Sequence, residues 1–357
     1  MQPFTHDIAP GRVVLGAGAV DKLSAEIELL GASRALVLAT PGREEQADAA
    51  TSSLGSARVG LFAKAKMHTP VDVSAAGQAE ARRLNADCLV TIGGGSAIGL
   101  GKGVALELGI PLICIVTTYS GSEMTDACGM LDGGRKVMHQ SPNMRPKTVI
   151  YDPELTVGLP PSISGPSGMN AVAHCVSAIC SLNPTPMKSL ISLEGIRAMA
   201  DALPRIYQNP DDIDARGDAL YGAWNCGIAA GLGGRGLHHK LAHVVGGSFG
   251  LPHAETHTVL LPYSTAYNAP AVPDAMATIA NALGQSNSAD AAGALSNLSK
   301  TIGAPASLKA VGMLESDLDK AADEVMENQY PNAAPYDRNK IRALLQAAFE
   351  GAEPGAQ

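Results

Sequence analysis

Five of the chain's nine histidines fall within residues 237–257, LHHKLAHVVGGSFGLPHAETH: His238, His239, His243, His253 and His257. His239 and His243 are four residues apart, which puts both rings on one face if the segment is helical. His253 follows beyond a glycine-rich bend, directly after Pro252. A second pair with the same spacing, Asn170 and His174, stands upstream. Neutral imidazole is a metal ligand, whereas imidazolium is a proton donor and a positive charge, so the group suits either a metal centre or a metal-free acid. A lone histidine is ordinarily a satisfied side chain. Two four-residue pairs and a third ring after a proline call for a chemical reason.

The other chemistry-bearing stretch is DCLVTIGGGSAIGLGKGVALEL, residues 87–108. Gly93, Gly94, Gly95 and Ser96 lie between an apolar run and a helical one. Glycine lets backbone approach a ligand closely, and the N–H groups at a helix start favour phosphate. The turn is not a GxGxxG fingerprint. It also fails as a Walker A loop, because Ser96 stands where the first glycine belongs and Gly103 where Ser or Thr should follow Gly101-Lys102. A second polar run, TTYSGSEMT (117–125), follows the next apolar run, and Thr117 and Thr118 open it. The run ALVLAT ends at Thr40 without the acidic residue that would repel a 2′-phosphate, so NADH and NADPH are both admissible.

These groups need elements to hold them. RALVLAT (34–40), DCLVTI (87–92), PLICIVTT (111–118) and KTVIYD (147–152) read as strands, with GKGVALELG as a helix of about two turns between the second and third. Strand, helix, strand at this spacing is a βαβ unit and predicts a parallel sheet. PELTVGLPPSISGPSG (153–168) is rich in Pro, Gly and Ser and reads as a connection. Beyond it MNAVAHCVSAIC, SLISLEGIRAMADALPRI, ARGDALYGAWNCGIAA and NKIRALLQAAFEG carry helical periodicity. The expected organisation is an α/β dinucleotide-binding domain with a parallel sheet over 1–156, followed by an all-α catalytic domain over 157–357.

A formal net charge of −8 argues against a nucleic-acid partner, which would need a basic surface, but leaves room for a local cationic cleft. No run approaches the ~20 apolar residues of a membrane span. MQPFTHDIAPG has no basic or apolar leader pattern, and the six cysteines include no CxxC pair. The expectation is a cytoplasmic protein in a reducing compartment.

Taken in order, Gly93–Ser96, Thr117–Glu123, NAVAH (170–174), HKLAH (239–243) and PH (252–253) resemble the motifs of the iron-containing (group III) alcohol dehydrogenase superfamily. The resemblance spans essentially the whole chain. It implies the two-domain architecture shared with dehydroquinate synthase. Two positions depart from the family pattern: its metal-binding motif begins with aspartate where this chain has Asn170, and its GGGSxxD motif ends at Gly99. An amide for a carboxylate removes one negative charge from the donor set. At about 4 Å and an effective dielectric near 20 that is worth about 4 kcal/mol, roughly three decades of affinity. Asn170 also reads as lying near the start of its helix, where an amide satisfies free N–H groups.

The same departures resemble one branch of the superfamily, on GGGSAIGLGK, TTYSGSEMT, SGMNAVAH, LHHKLAH, LPHAETHTVLLP, GRVVLGAGAVDKL and KIRALLQAAFEG. That branch reduces the carbon–carbon double bond of an unsaturated oxo-dicarboxylate in the degradation of aromatic compounds. It implies NADH or NADPH as donor, no metal, a small dicarboxylate substrate and a homodimer. His243 and His253 are then the first candidates for proton donor and charge stabiliser, with His174 and His239 shaping and charging the pocket. Lys240 is a candidate to hold a carboxylate, His238 reads as structural, and His257 as a supporting partner. The alternatives are an Fe- or Zn-dependent alcohol or aldehyde dehydrogenase that tolerates Asn170 as a neutral ligand, and a metal-dependent lyase of the dehydroquinate synthase type, against which Asn170 weighs.

Overall fold

The apolar runs of the first half form one parallel sheet in a computed structural model, which describes residues 11–285 and 288–355. The strands are β1 (Arg12–Leu15), β2 (Ala35–Leu38), β3 (Arg58–Phe62), β4 (Cys88–Gly93), β5 (Leu112–Val116) and, after a separate hairpin of β6 (Ala127–Asp132) and β7 (Arg135–Gln140), β8 (Thr148–Tyr151). Their order across the sheet is β1-β8-β5-β4-β2-β3. Every residue of β2 and β5 is buried, as expected of strands covered on both faces. The helices of this unit are α1 (Leu23–Leu29), α2 (Glu44–Ala50), α3 (Val71–Arg83) and α4 (Gly95–Leu108).

The strand order fixes where a ligand fits. After β2 the chain moves to β3 on one side, and after β4 it moves to β5 on the other. β2 and β4 are neighbours, so the connections leaving their carboxyl ends diverge and open a crevice there, the usual ligand position in such sheets.

Several elements differ from the expectation. The expected strands do not include β1, β3 or the hairpin. β1 is a short edge strand, and Gly60 interrupts the apolar pattern of β3 because Leu84 leaves no room for a side chain, a Cβ there lying 2.6 Å from Leu84 Cδ1. The hairpin turns on Gly133 (φ 52°) and Gly134 (φ 81°), the pair of positive φ values a two-residue turn requires. α4 runs for 14 residues rather than two turns, beginning inside the glycine run. Its glycines are packing surfaces: a Cβ on Gly101 would strike Thr91, and one on Gly103 would strike Ser74.

The chain divides after Leu159, and a helical unit begins at Pro160. Its elements are α5 (Pro161–Ile179), α6 (Pro186–Gln208), α7 (Ile213–Gly231), α8 (Leu237–Ser248), α9 (His253–Asn268), α10 (Pro273–Ala282), α11 (Ala291–Thr301), α12 (Leu318–Met326) and α13 (Arg338–Glu350). The 153–168 stretch is therefore only partly a connection. Pro161 takes the first helical position, where its missing N–H costs nothing, and Gly165 to Gly168 are buried inside α5. Gly168 admits Leu203 of α6 so closely that a Cβ would lie 2.6 Å from it.

Asn170 consequently sits mid-helix, and the cap reading is wrong. The four segments read as helical lie on α5, α6, α7 and α13. Among the described residues no strand follows β8, no helix is long and apolar enough to cross a membrane, and all six cysteines are free.

Candidate active site

Three sequence-distant segments meet at the carboxyl ends of β2, β4 and β5. Thr40 follows β2, Gly93 to Ser96 run from β4 into α4, and Thr117 and Thr118 follow β5. Thr117 N–H donates to Gly93 O at 3.1 Å, tying the second and third together. Gly93 has φ 139°, which excludes other residues, and a Cβ on it would lie 3.0 Å from Ala97 Cβ and 3.8 Å from Thr40 Oγ1. A Cβ on Gly94 would lie 2.6 Å from Thr118 Cγ2, whereas Gly95 faces open space.

No side chain caps α4, so its first N–H groups are available to an anion. Thr118 Oγ1 is buried without a hydrogen-bond partner. An uncapped helix start, an orphaned hydroxyl and a turn built without side chains fit the pyrophosphate and ribose of a dinucleotide. Ser96, Thr117 and Thr40 flank that turn.

The rest of TTYSGSEMT is scaffold. Tyr119 is buried against Thr156, and Glu123 Oε1 accepts from Tyr151 Oη at 2.7 Å. Lys102 is buried too, its Nζ donating to Ser122 O at 2.6 Å, Thr125 Oγ1 at 2.8 Å and Ala127 O at 3.0 Å. Held this way, it bolts the loop in place and cannot serve as a P-loop lysine.

In the helical unit α5, α8 and α9 bring six imidazoles together. α8 buries Leu237, Leu241 and Val245 in the core and turns His239 and His243 to one side, with ring centroids 6.1 Å apart. Gly250 (φ 68°) closes the bend that returns the chain to His253, the first residue of α9. α5 supplies His174, whose ring centroid is 4.8 Å from that of His239. His257 is the hub: its centroid is 4.5 Å from His253, 5.0 Å from His238, 5.5 Å from His239, and 6.5 Å from both His243 and His174.

Burial divides the six. His238, His239 and His257 are buried, whereas His174, His243 and His253 are partly open. His239 has both nitrogens engaged, Nδ1 3.1 Å from Ser177 Oγ and Nε2 3.0 Å from His174 Nδ1. His238 Nδ1 is 2.9 Å from Ser264 Oγ and its Nε2 is 2.9 Å from His257 Nδ1, which accords with a structural ring. His243 Nδ1 is 3.1 Å from Tyr330 Oη. Desolvation pushes His174 down to about 4 and His238 to about 3, and holds His239 and His257 well below the ordinary histidine range.

Lys240 is half-buried and its charged neighbours are Glu324 and Glu327, so it stands in a field of carboxylates. The cation felt at His174 and His239 is Arg235. It is exposed, on a loop held by glycines: a Cβ on Gly234 would lie 2.7 Å from Ala178 Cα, and Leu237 N–H donates to Asn332 Oδ1 at 3.0 Å. Arg235, Tyr330, Ser177 and Ser264 are not among the sequence candidates. Of these only Arg235, in GGRG beside the histidine helix, left a local signal.

A divalent metal does not fit the donor set as it stands. Asn170 brings a neutral Oδ1, buried without a partner, where a carboxylate would supply charge. His174 and His239 direct ring nitrogens at each other instead of toward a shared point. Among the described residues no group of three or more His, Cys, Asp or Glu side chains is arranged to hold an ion. Gly99, the other departure, is a packing position, since any Cβ there would run into Thr69 Oγ1.

Residues 10–153 match the family model described as iron-containing alcohol dehydrogenase, and residues 165–349 match the one described as Fe-containing alcohol dehydrogenase family, C-terminal. The chain is 47% identical to maleylacetate reductase of Burkholderia cepacia over 354 residues, covering 99% of this chain and 100% of that one. It is also 47% identical, with the same coverage, to maleylacetate reductase of Rhizobium sp. strain MTP-10005. The crystal structure of maleylacetate reductase from Agrobacterium tumefaciens superposes with a TM-score of 0.95 at 46% identity, over 99% of this chain and 100% of that chain.

Proposed function

The chain belongs to the iron-containing alcohol dehydrogenase family and is an NAD(P)H-dependent oxidoreductase, and from that premise we propose that it reduces the carbon–carbon double bond of maleylacetate to 3-oxoadipate without a metal ion. The balance is maleylacetate plus NAD(P)H plus one proton, giving 3-oxoadipate and NAD(P)⁺. The observation that carries this reading is the neutral donor set at Asn170, His174 and His239, in a chain similar from end to end to maleylacetate reductases.

A bound reduced nicotinamide supplies hydride to the alkene carbon β to the ketone. The uncapped start of α4, Gly93 to Gly95 and Thr118 would hold the dinucleotide, and Thr40, which brings no negative charge, would admit either NADH or NADPH. Hydride addition moves negative charge onto the ketone oxygen, and that enolate needs positive charge and then a proton. His253 is suited to both tasks. It is partly open, and it opens α9, whose N-terminal dipole favours an anion.

His243, also partly open and oriented by Tyr330, is the second charge and proton source. His174 and His239, bonded to each other, wall the pocket without competing for the proton. Arg235 is better placed than Lys240 to hold a substrate carboxylate, because its charge acts on the cluster and not on Glu324 and Glu327.

The test is NADH oxidation with maleylacetate, with and without prior chelator treatment. Rapid turnover that chelator leaves untouched is expected. Activity lost on chelation and restored by Zn or Fe would mean that Asn170 ligates a metal after all. No turnover in either sample would remove maleylacetate as substrate.

A further inference from the structure

The hydrogen positions in the buried imidazoles follow from one helix carbonyl. Ser264 Oγ donates its single hydrogen to Leu261 O at 3.0 Å, so only lone pairs face His238 Nδ1, 2.9 Å away. His238 therefore carries its hydrogen on Nδ1 and presents a lone pair at Nε2. His257 Nδ1, 2.9 Å from that atom, must supply the hydrogen between them. A neutral imidazole has one N–H, so His257 Nε2 is a bare acceptor. Burial keeps both rings neutral, as their lowered pKa values indicate. The Nε2 atom is itself buried and has no hydrogen-bond partner, in a ring only 1% exposed. Unfilled buried acceptors are uncommon because they are costly, and each calls for an explanation, a role in the chemistry among them.

Among the described imidazoles the ring nearest that of His257 is His253, one helical turn earlier on α9, with centroids 4.5 Å apart and planes at 72°. We infer that His257 is the positioning residue of the reaction: fixed by the Ser264–His238 relay, its bare Nε2 accepts one N–H of the His253 imidazolium and aims the other at the substrate. This rests on the maleylacetate reading above. The proton leaves the substrate-facing nitrogen of His253 for the enolate, and His253, partly open, is reprotonated from water. A carboxylate in the place of His257 would orient the ring too, but it would neutralise the cation that the enolate needs. A neutral acceptor orients and leaves the charge in place.

Two measurements on the full-length enzyme test this. The ¹⁵N spectrum of histidine-labelled protein is expected to show His257 protonated at Nδ1 and bare at Nε2, and Ser264→Ala is expected to mix the two tautomers. In kinetics His257→Leu is expected to lower kcat about 100-fold while KM for maleylacetate stays within about threefold. His257→Gln, whose amide oxygen reaches the place of Nε2, is expected to recover about tenfold of that loss. A hydrogen on Nε2 of His257 in the parent protein, or parental kcat in a folded His257→Leu, overturns the inference. If the parent protein does not turn over maleylacetate, the substrate reading fails, while the nitrogen spectrum still decides the relay. If His257→Leu does not fold, Ser264→Ala and His257→Gln decide it.

Discussion

At the glycine-rich turn after β4 the functional groups are backbone, and what matters is which side chains are missing. At the imidazole cluster they are side chains, and what matters is how few partners some of them have. The turn gathers Thr40, Gly93 to Ser96 and Thr117 to Thr118 because the strand order puts β2, β4 and β5 side by side. The cluster gathers six rings because α5, α8 and α9 each repeat a polar residue at helical spacing. The first arrangement can bind a ligand that most of its members touch only through N–H groups. The second stores lone pairs and protons, and so can take part in bond making. Variants that strike one region or the other should therefore separate binding from turnover.

The largest effect is expected at His253. His253→Ala removes the proposed proton and charge source at the start of α9 and should lower kcat by roughly a thousandfold, within the range general acids contribute. The dissociation constant for NADH, measured by fluorescence titration without substrate, should not change. A variant that keeps parental kcat would take His253 out of the reaction, and one that loses NADH binding as well would blur the division between the two regions.

The helical region left the clearer trace in the sequence. Four-residue spacing alone paired His239 with His243 and Asn170 with His174, because a helix repeats its face locally. His253 and His257 share that spacing, so His257 reads as a supporting partner, but its place as the hub depends on three helices meeting. Ser177 and Tyr330 lie 62 and 87 residues from the rings they bond. In the sheet the buried strands were readable as continuous apolar runs, whereas β1 is a short edge and Gly60 breaks the pattern of β3. Pro- and Gly-rich 161–168 read as loop because composition cannot distinguish a turn glycine from one that lets α6 approach α5.

A second expected effect confines itself to the imidazoles. A histidine whose folded pKa lies below the unfolded value of about 6.5 takes up protons more readily when unfolded. The stability it contributes is complete above about pH 6.5 and is lost as pH falls through that value toward the folded one. His174 and His238, pushed to about 4 and about 3, place most of the loss in the window between about pH 6.5 and those values. Each ring kept neutral in the folded protein adds up to about 1.4 kcal/mol per pH unit there. The midpoint of urea unfolding should be flat above pH 7 and fall below it. Amide exchange in α5, α8 and α9 should accelerate before that in β4 and β5. Equal protection across both regions at about pH 5 would show that the folded protein tolerates the cluster in its charged form.

The smallest effect is expected at the turn, and it is steric. Gly94 has φ −96° and ψ −157°, an extended conformation that alanine adopts freely, so Gly94→Ala adds no backbone strain. What it adds is a methyl where Thr118 Cγ2 and Oγ1 already stand, 2.6 and 2.8 Å from the new carbon. Thr118 must shift, and the uncapped N–H groups of α4 shift with the turn. NADH affinity should fall about tenfold, ~1.4 kcal/mol, with kcat at saturating NADH nearly unchanged. Removing the obstacle tests the cause. In the Gly94→Ala/Thr118→Ala double variant the added cost of Gly94→Ala should largely disappear, measured against Thr118→Ala alone. If the two losses instead add, the turn is not held by that contact, and the absence of side chains at Gly94 serves the ligand directly.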